Sequence, residues 1–241
     1  MKQRYPSRFV RLFVGLVFYG VGVSFNVSSG LGLAPWTVLN HGFSLLAGIK
    51  IGQAGQLLGL LILVLDWIMK EPIGVGTVGN MYFIGSVTDL MLDSGIIPQA
   101  ASLPHRVLYL LLGMVITVFA TFFYMSAGLG AGPRDSLMVG FTKRSKKLQV
   151  GAVRMLLEGS AVALGWLLGG VVGVGTLICS FGMGPLTQMI FKRFSYNVRS
   201  VHQESIFETV RNLTGKGASE VAKPDPKAIA EEPTEEPSLP R

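Results

Sequence analysis

A glycine-rich motif that interrupts apolar sequence occurs twice, and it constrains the fold more than any other feature. It reads GLGLAPWTVLNHG over residues 30–42 and GLGAGPRDSLMVG over residues 128–140, so the copies lie 128 − 30 = 98 positions apart. Each copy follows a long apolar stretch and contains a proline suited to the first position of a helix. Irregular backbone at membrane depth is tolerated only where it is buried in protein or lines a cavity. The motifs therefore predict two broken helices around a functional centre.

The composition is that of a membrane protein. Hydrophobic residues make up 49% of the chain and charged residues 15%, whereas soluble domains contain about 25% charged residues. The apolar stretches approach the roughly 20 residues that cross about 30 Å of hydrocarbon as a helix. One cysteine, Cys179, and three histidines exclude disulfides and predict neither a metal site nor another cofactor. The net charge is +7, and the basic residues cluster beside the apolar stretches. This distribution indicates membrane topology rather than nucleic-acid binding.

The remaining sequence repeats the order of elements around the two motifs. We predict an all-α polytopic membrane protein of two tandem repeats of about 98 residues, each with three spans and a short half-helix. The half-helices follow Pro35 and Pro133, and GVGT occurs at 74–77 and 173–176, where we expect helix-packing glycines. The predicted spans are 9–27, 51–69, 73–92, 106–124, 150–168 and 172–191.

Four segments follow from this pattern. The first repeat covers residues 1–98 and the second covers residues 99–193. Residues 194–214 are expected to hold a cytoplasmic amphipathic helix, because apolar residues recur there at helical spacing. Residues 215–241 are rich in Ala, Glu, Lys and Pro and have no aromatic residue, so we expect a disordered cytoplasmic tail.

The distribution of basic residues favours inverted halves. The loop after the short helix has one basic residue in the first repeat, Lys50, and four in the second: Lys143, Arg144, Lys146 and Lys147. The start of the first repeat instead has four and that of the second has one: Lys2, Arg4, Arg8 and Arg11 against Arg106. Equivalent loops of inverted repeats alternate in this way, and both termini are then cytoplasmic. Eight spans with parallel halves are the alternative, in which each short helix crosses together with its glycine-rich lead.

The second motif places charge beside a helix start. Arg134 and Asp135 directly follow Pro133, and a guanidinium at a helix N-terminus favours an anion. The Asp135 carboxylate also suits the free N–H groups of its own helix. The equivalent residues of the first motif are Trp36 and Thr37. We predict that these five residues line a substrate site.

A second pair of charges lies on the next span. Arg154 and Glu158 are four residues apart on one helical face, which predicts an ion pair. Ionisable residues at membrane depth usually face a bundle interior or a cavity. The pair is interpreted either as a structural tie between helices or as part of ion coupling.

Four stretches resemble one family of bacterial membrane proteins. GLGLAPWTVL, GAGPRDSLM, GWLLGGVVGVGT and the VRMLLE that contains Arg154 and Glu158 resemble the YczE-type proteins, related to the YitT group. The resemblance covers about residues 8–192 and implies a polytopic protein of the inner membrane. The family usually has Pro-Trp-Asp in the first motif, whereas Thr37 replaces that Asp in this chain.

Two hypotheses about function compete. The first is a secondary transporter or exporter of a small anionic or zwitterionic solute. Because the chain has no nucleotide-binding motif, transport is expected to be coupled to an ion gradient or to be uncoupled. The alternative is a non-transporting membrane protein that organises or regulates a partner complex through its tail. An enzyme is not expected, because no span pairs a Ser or Cys nucleophile with a His base. The expected partners are the lipid bilayer and the solute.

Overall fold

The computed structural model describes residues 5–145, 150–195 and 201–214, and these residues are all-helical, without a strand. This confirms the predicted all-α class, and the predicted spans differ from the helices by a few residues at each end. The helices are α1 (Tyr5–Ser29), α2 (Pro35–Ala47), α3 (Ile51–Ile68), α4 (Val75–Asp93), α5 (Leu103–Ser126), α6 (Pro133–Arg144), α7 (Val150–Leu167), α8 (Val174–Arg193) and α9 (Ile206–Leu213).

The helices fall into long and short classes. Within the described ranges, four are long and apolar enough to cross a membrane, namely α1, α3, α5 and α8. The other two predicted spans, α4 and α7, have 19 and 18 residues. The helices α2 and α6 have 13 and 12 residues. At about 1.5 Å per residue they extend roughly 20 Å, too little to cross about 30 Å of hydrocarbon. Six spans with two half-helices therefore stays a prediction, with four spans identified.

The helices α1 and α5 form the centre of the molecule and run antiparallel. A Cβ atom on Gly15 would lie 2.7 Å from the backbone nitrogen of Tyr124, and one on Gly22 would lie 2.9 Å from that of Thr117. Glycine thus lets the two backbones approach closely. Inverted halves require the first helices of the two halves to be antiparallel, whereas parallel halves would align them.

Each central helix has a parallel neighbour from its own half. A Cβ atom on Gly79 would lie 3.0 Å from Cδ1 of Leu16, and one on Gly20 would lie 2.6 Å from Cβ of Val87. The helix α4 therefore packs along α1 in the same direction. The helix α8 packs along α5 in the same direction, and two apolar clusters join them. Their buried members are Leu110, Met114 and Cys179 in one, and Val118, Ile190 and Phe191 in the other.

The two glycine motifs fold alike. We define the first break as residues 30–34 and the second break as residues 128–132. The φ angles are 64° and 65° at Gly30 and Gly128, and 117° and 116° at Gly32 and Gly130. Glycine adopts such positive φ values readily, and other residues rarely do. The glycines of the motif are thus needed for the shape of both breaks.

Each break pairs with a helix start of the opposite half. The backbone N–H of Gly175 donates to the Leu31 carbonyl at 2.7 Å, and that of Gly76 donates to the Leu129 carbonyl at 2.7 Å. A Cβ atom on Gly173 would lie 2.3 Å from the Leu31 oxygen. The glycines of the GVGT motifs therefore admit the backbone of a break, which corrects the prediction that they pack neighbouring helices. The breaks in turn satisfy N–H groups at the starts of α4 and α8.

The helix predicted within residues 194–214 is shorter than expected, because its leading residues bind the second break. The backbone N–H of Glu204 donates to the Gly128 carbonyl at 3.0 Å. The Gln203 side chain accepts from the Gly130 N–H at 3.2 Å. These long-range bonds hold the chain extended, and α9 begins only at Ile206.

The predicted segment boundaries place α1–α4 in residues 1–98 and α5–α8 in residues 99–193. The repeat and its inversion stay predictions. The expected tail over residues 215–241 lies outside the described residues, and so do Lys146 and Lys147 of the expected basic loop.

Candidate functional site

A cavity of about 200 Å³ lies between the two breaks. The starts of α2 and α6 form part of its wall, and the helices around them supply the remainder. Its lining includes every residue predicted for the substrate site and for the ion pair, namely Trp36, Thr37, Pro133, Arg134, Asp135, Arg154 and Glu158. The fold thus brings together in one cavity residues from both halves of the chain.

Residues that lie 98 positions apart, within the two motifs and outside them, meet in this wall. Many lining residues form pairs that are 98 positions apart, as Tyr19 and Thr117 are (117 − 19 = 98). The other pairs at this spacing include Asn26 with Tyr124, Ala34 with Gly132, Asn40 with Met138, and Gly59 with Leu157. Both halves therefore contribute matching parts of their helices to one space.

Arg134 has an aromatic neighbour and forms no salt bridge with the described residues. Its guanidinium carbon lies 4.9 Å from the ring centroid of Trp36. Within the described part of the chain, no carboxylate forms a salt bridge with it. An arginine does not lose its charge in a protein. The cavity therefore contains a positive charge, held against a ring at the start of α6, that an anion can reach.

Asp135 is held by a residue that the sequence reading missed. Tyr124 Oη donates to Asp135 Oδ2 at 2.8 Å. The backbone N–H groups of Asp135 and Ser136 both donate to the Gly132 carbonyl at 3.0 Å, and in the described residues they form no bond to the Asp135 carboxylate. The expected capping of its own helix is therefore not the role of this side chain. The sequence signal that could have identified this contact is a tyrosine about one helical turn before the second break.

Two further polar atoms of the lining are buried without a partner. Asn40 Oδ1 and Thr117 Oγ1 form no hydrogen bond with the described protein. Leaving a buried polar group unpaired costs about 1–3 kcal/mol. Both residues line the cavity, and they therefore join the candidate site. Neither stood out in the sequence, because a single polar residue on an apolar helix does not reveal which way it points.

The expected ion pair on α7 is present at the cavity. Arg154 Nε donates to Glu158 Oε1 at 2.9 Å. The Arg154 side chain is 51% exposed and that of Glu158 is 23% exposed. The pair is thus not sealed in the protein interior, and its charges are arranged along the lining of the cavity.

A second recess is polar and lies at the start of α3. The Asp89 carboxylate accepts the N–H groups of Gly52 at 2.6 Å and Gln53 at 2.9 Å, so it caps a neighbouring helix. Lys50 Nζ lies 2.5 Å from Asp93 Oδ2, and its hydrogen bond to this carboxylate raises the pKa of Lys50. These contacts tie α3 to α4 and leave this recess with a structural role.

Comparisons with known proteins show the family of this chain. A family model with the description "Family of unknown function (DUF6198)" matches residues 6–192. The chain belongs to the DUF6198 family. An uncharacterised protein of Haemophilus influenzae is 36% identical to this DUF6198 chain over 177 residues, which cover 73% of this chain and 80% of that protein. No solved structure matches the chain.

Two relatives come from Bacillus subtilis. The uncharacterised membrane protein YczE is 31% identical over 186 residues, covering 76% of this DUF6198 chain and 85% of the relative. The uncharacterised protein YyaS is 26% identical over 177 residues, covering 70% and 86%. The resemblance to YczE-type proteins is thereby confirmed. With its apolar helices, this DUF6198 chain is a membrane protein.

Proposed function

We propose that this DUF6198 protein is a secondary transporter or exporter of a small anionic or zwitterionic solute. The observation that carries the proposal is the Arg134 guanidinium, which stands in the cavity against Trp36 without a carboxylate partner in the described protein. The protein would act in the inner membrane with both termini in the cytoplasm, with the lipid bilayer as its surroundings. It would act as a carrier, not as an enzyme.

The lining charges favour a ligand that carries both signs. A carboxylate of the solute would bind Arg134 and the N-terminus of α6, where partial positive charge accumulates. An ammonium group would bind Asp135, whose carboxylate accepts one hydrogen bond from Tyr124. The unpartnered oxygens of Asn40 and Thr117 complete a polar set around an apolar wall. Few polar groups in a mostly apolar cavity are typical of small-molecule sites.

The breaks provide the reason to expect movement of solute and not binding alone. Discontinuous helices that meet at a central site are typical of secondary transporters. Each break is hydrogen-bonded to a helix start from the other half, so a relative rotation of the halves would move both breaks with the site. Such a rotation would open the cavity to one side of the membrane at a time.

Counterflow tests transport directly. Proteoliposomes that contain the full chain are loaded with a mixture of amino acids and small carboxylates, and entry of each labelled compound is measured. We expect exchange of at least one compound, its loss in Arg134→Gln, and its retention in Lys192→Gln, which removes an exposed cation outside the cavity. Absence of exchange for every compound in folded wild-type protein would contradict the transporter proposal.

A thermal-shift assay on the same panel separates binding from transport. A ligand at about 100 times its Kd stabilises the folded state by about 2.7 kcal/mol. Stabilisation that depends on Arg134, without counterflow, would leave a binding protein that does not transport.

The second candidate, a protein that organises a partner complex, is favoured by the surface of α9. Phe207 is 87% exposed, and Val210 and Leu213 are exposed beside it. A partner that covers this face would be lost on Phe207→Ser, while counterflow would be unchanged. Deletion of residues 215–241 tests the tail in the same way, because a transporter should tolerate the loss.

A further inference from the structure

Asp66 is a fully buried acid that the cavity does not use. It lies in the last turn of α3, and its exposure is 0%. Neither carboxylate oxygen has a hydrogen-bond partner among the residues that the structure describes. An ionised carboxylate without a partner is very costly in a protein interior, and such a group instead takes up a proton.

The charges near Asp66 do not offset a negative charge. The acid that acts on it is Glu71, which is also buried, in the turn after α3. The two cations at this end of α6 are engaged by Glu71: Lys143 Nζ lies 2.7 Å from Oε2, and Arg144 lies 3.6 Å from Oε1. A like charge nearby disfavours ionisation. The arrangement thus leaves Glu71 paired with both cations and Asp66 without a counter-ion among the described residues.

The other helices that contact α3 supply no counter-ion either. The helix α4 carries Asp89 and Asp93 at the opposite end of α3, where both accept hydrogen bonds. The helix α2 has one titratable side chain, His41, whose Nδ1 is buried without a partner in the described protein. The helix α6 adds Arg134 and Asp135, which belong to the cavity.

The helix α6 connects this acid to the cavity. Its C-terminal end lies against the end of α3: a Cβ atom on Gly140 would be 2.6 Å from Met69 Cε, and the Arg144 guanidinium donates to the Met69 carbonyl. Its first residues, Arg134 and Asp135, line the cavity. A helix of 12 residues is about 18 Å long. A displacement of α6 would therefore alter the cavity and the contacts at the end of α3, where Asp66 lies, together.

We propose that Asp66 is a proton-binding site, neutral in the conformation described, that releases its proton to water when the end of α6 withdraws from α3. The role of Asp66 as the coupling site, with the proton as the coupling ion, rests on the transporter proposal. The proposal that Asp66 binds a proton does not depend on the transporter proposal.

Labelling with a hydrophobic carbodiimide tests the proton site without any transport measurement. This reagent, dicyclohexylcarbodiimide, reacts with protonated carboxyl groups in apolar surroundings. We expect peptide mass spectrometry of the reconstituted full chain at neutral pH to show modification of Asp66, with loss of labelling at alkaline pH. Asp89→Asn should label like the wild type. Absence of modification at Asp66, or protection of Asp66 by Na⁺ at constant pH, would overturn the proposal.

Infrared spectroscopy gives a second readout that depends on no reagent. The absorption band of a neutral carboxyl group should be present in wild-type protein at neutral pH and lost in Asp66→Asn and Asp66→Leu. Two variants are used because leucine is the residue 98 positions later, Leu164. An unchanged band in either folded variant would assign the neutral carboxyl to another residue and overturn the proposal.

Proteoliposomes with an imposed pH gradient then test coupling. Asp66→Asn should retain counterflow and lose accumulation driven by the gradient. Carbodiimide labelling of Asp66 without counterflow in the wild type would sustain the proton site and contradict transport. Gradient-driven accumulation that persists in Asp66→Asn would overturn Asp66 as the coupling site and sustain transport.

Discussion

Arg134 and Trp36 occupy equivalent positions of the two motifs, and yet they touch, with 4.9 Å between the guanidinium carbon and the ring centroid. The contact therefore joins the two motifs in the wall of the cavity. Sequence alone identified both residues, because they follow the two prolines, but it could not show that one stacks on the other.

Replacing Trp36 should weaken the hold on the guanidinium. A cation above an aromatic ring is stabilised by about 0.5–2 kcal/mol. We expect Trp36→Phe to keep part of this free energy and Trp36→Leu to lose it, with a lower unfolding temperature in detergent and a weaker ligand-induced thermal shift. Trp166→Leu is the control, because Trp166 is 64% exposed and lies outside the cavity. Equal effects at both tryptophans would argue against the stacking role.

Tyr124→Phe should remove the hydrogen bond to Asp135 and little else of the packing. Hydrogen bonds to charged groups contribute about 1.5–3 kcal/mol, so we expect a loss of stability near the lower part of that range. The free energy of unfolding in detergent, measured by denaturant titration, checks this. Tyr82→Phe serves as the comparison because Tyr82 is exposed. A similar loss in both variants would contradict a specific role for Tyr124.

The sequence predicted the charged residues of the candidate site and the residues next to the two prolines, but not three further polar residues of its lining. Arg134, Asp135, Arg154 and Glu158 are conspicuous because ionisable residues are rare in apolar stretches. Tyr124, Asn40 and Thr117 carry no such signal, since their role depends on how each helix is rotated about its axis. That rotation is set by packing between helices far apart in the chain.

The glycines of α1 and α5 test the packing between helices. A Cβ atom on Gly22 would lie 2.5 Å from Thr117 Oγ1 and 2.9 Å from its backbone nitrogen. Gly22→Ala should therefore force the helices apart, at about 1–3 kcal/mol of overpacking. Gly159→Ala is matched to it, because that glycine is helical and has no atom within 4 Å of the added Cβ. It should be neutral or stabilising by up to about 1 kcal/mol. Thermal unfolding in detergent compares the two, and equal destabilisation would contradict close packing of α1 and α5.

An ion pair adds to the hydrogen bonds that hold the segment before α9. Arg8 Nη1 lies 2.6 Å from Glu204 Oε1, and both side chains are largely buried, at 14% and 13% exposure. A double-mutant cycle with Arg8→Gln and Glu204→Gln should give a coupling of about 0.5–3 kcal/mol. The exposed pair Lys50–Asp93 should show much weaker coupling, because solvent screens it. If the effects of the two substitutions on stability were additive at both pairs, the ion pair would contribute nothing and backbone bonds alone would hold this segment.

The breaks show what local sequence can and cannot specify. Glycine and proline predicted where the helices are interrupted, because only glycine readily adopts the φ angles of Gly30, Gly32, Gly128 and Gly130. The partner of each break was not predicted. The bond between Gly175 and Leu31 joins residues from different halves, and no local pattern records such a pairing.

Two features of the chain, its distribution of basic residues and the direction of its central helices, favour one topology. The antiparallel course of α1 and α5 and the alternation of basic loops both favour halves of opposite orientation. The breaks then reach the cavity from opposite sides of the membrane. The lengths of the apolar stretches predicted the helices, and the basic residues predicted their orientation. Only the fold shows that each break is hydrogen-bonded to a helix start of the other half.

Single-cysteine labelling on a Cys179→Ser background tests this orientation. The buried Cys179 should tolerate serine as a small replacement. Cysteines at positions 50 and 96 should react with an impermeant maleimide added to intact cells, because Lys50 and Ile96 would lie on the periplasmic side, where both are exposed. A cysteine at the exposed position 143 should react only after the membrane is opened, because the basic end of α6 would lie in the cytoplasm. Reaction of position 50 only from the cytoplasmic side, in a variant that inserts normally, would favour eight spans, align the two halves, and remove the basis for a site alternately opened to the two sides.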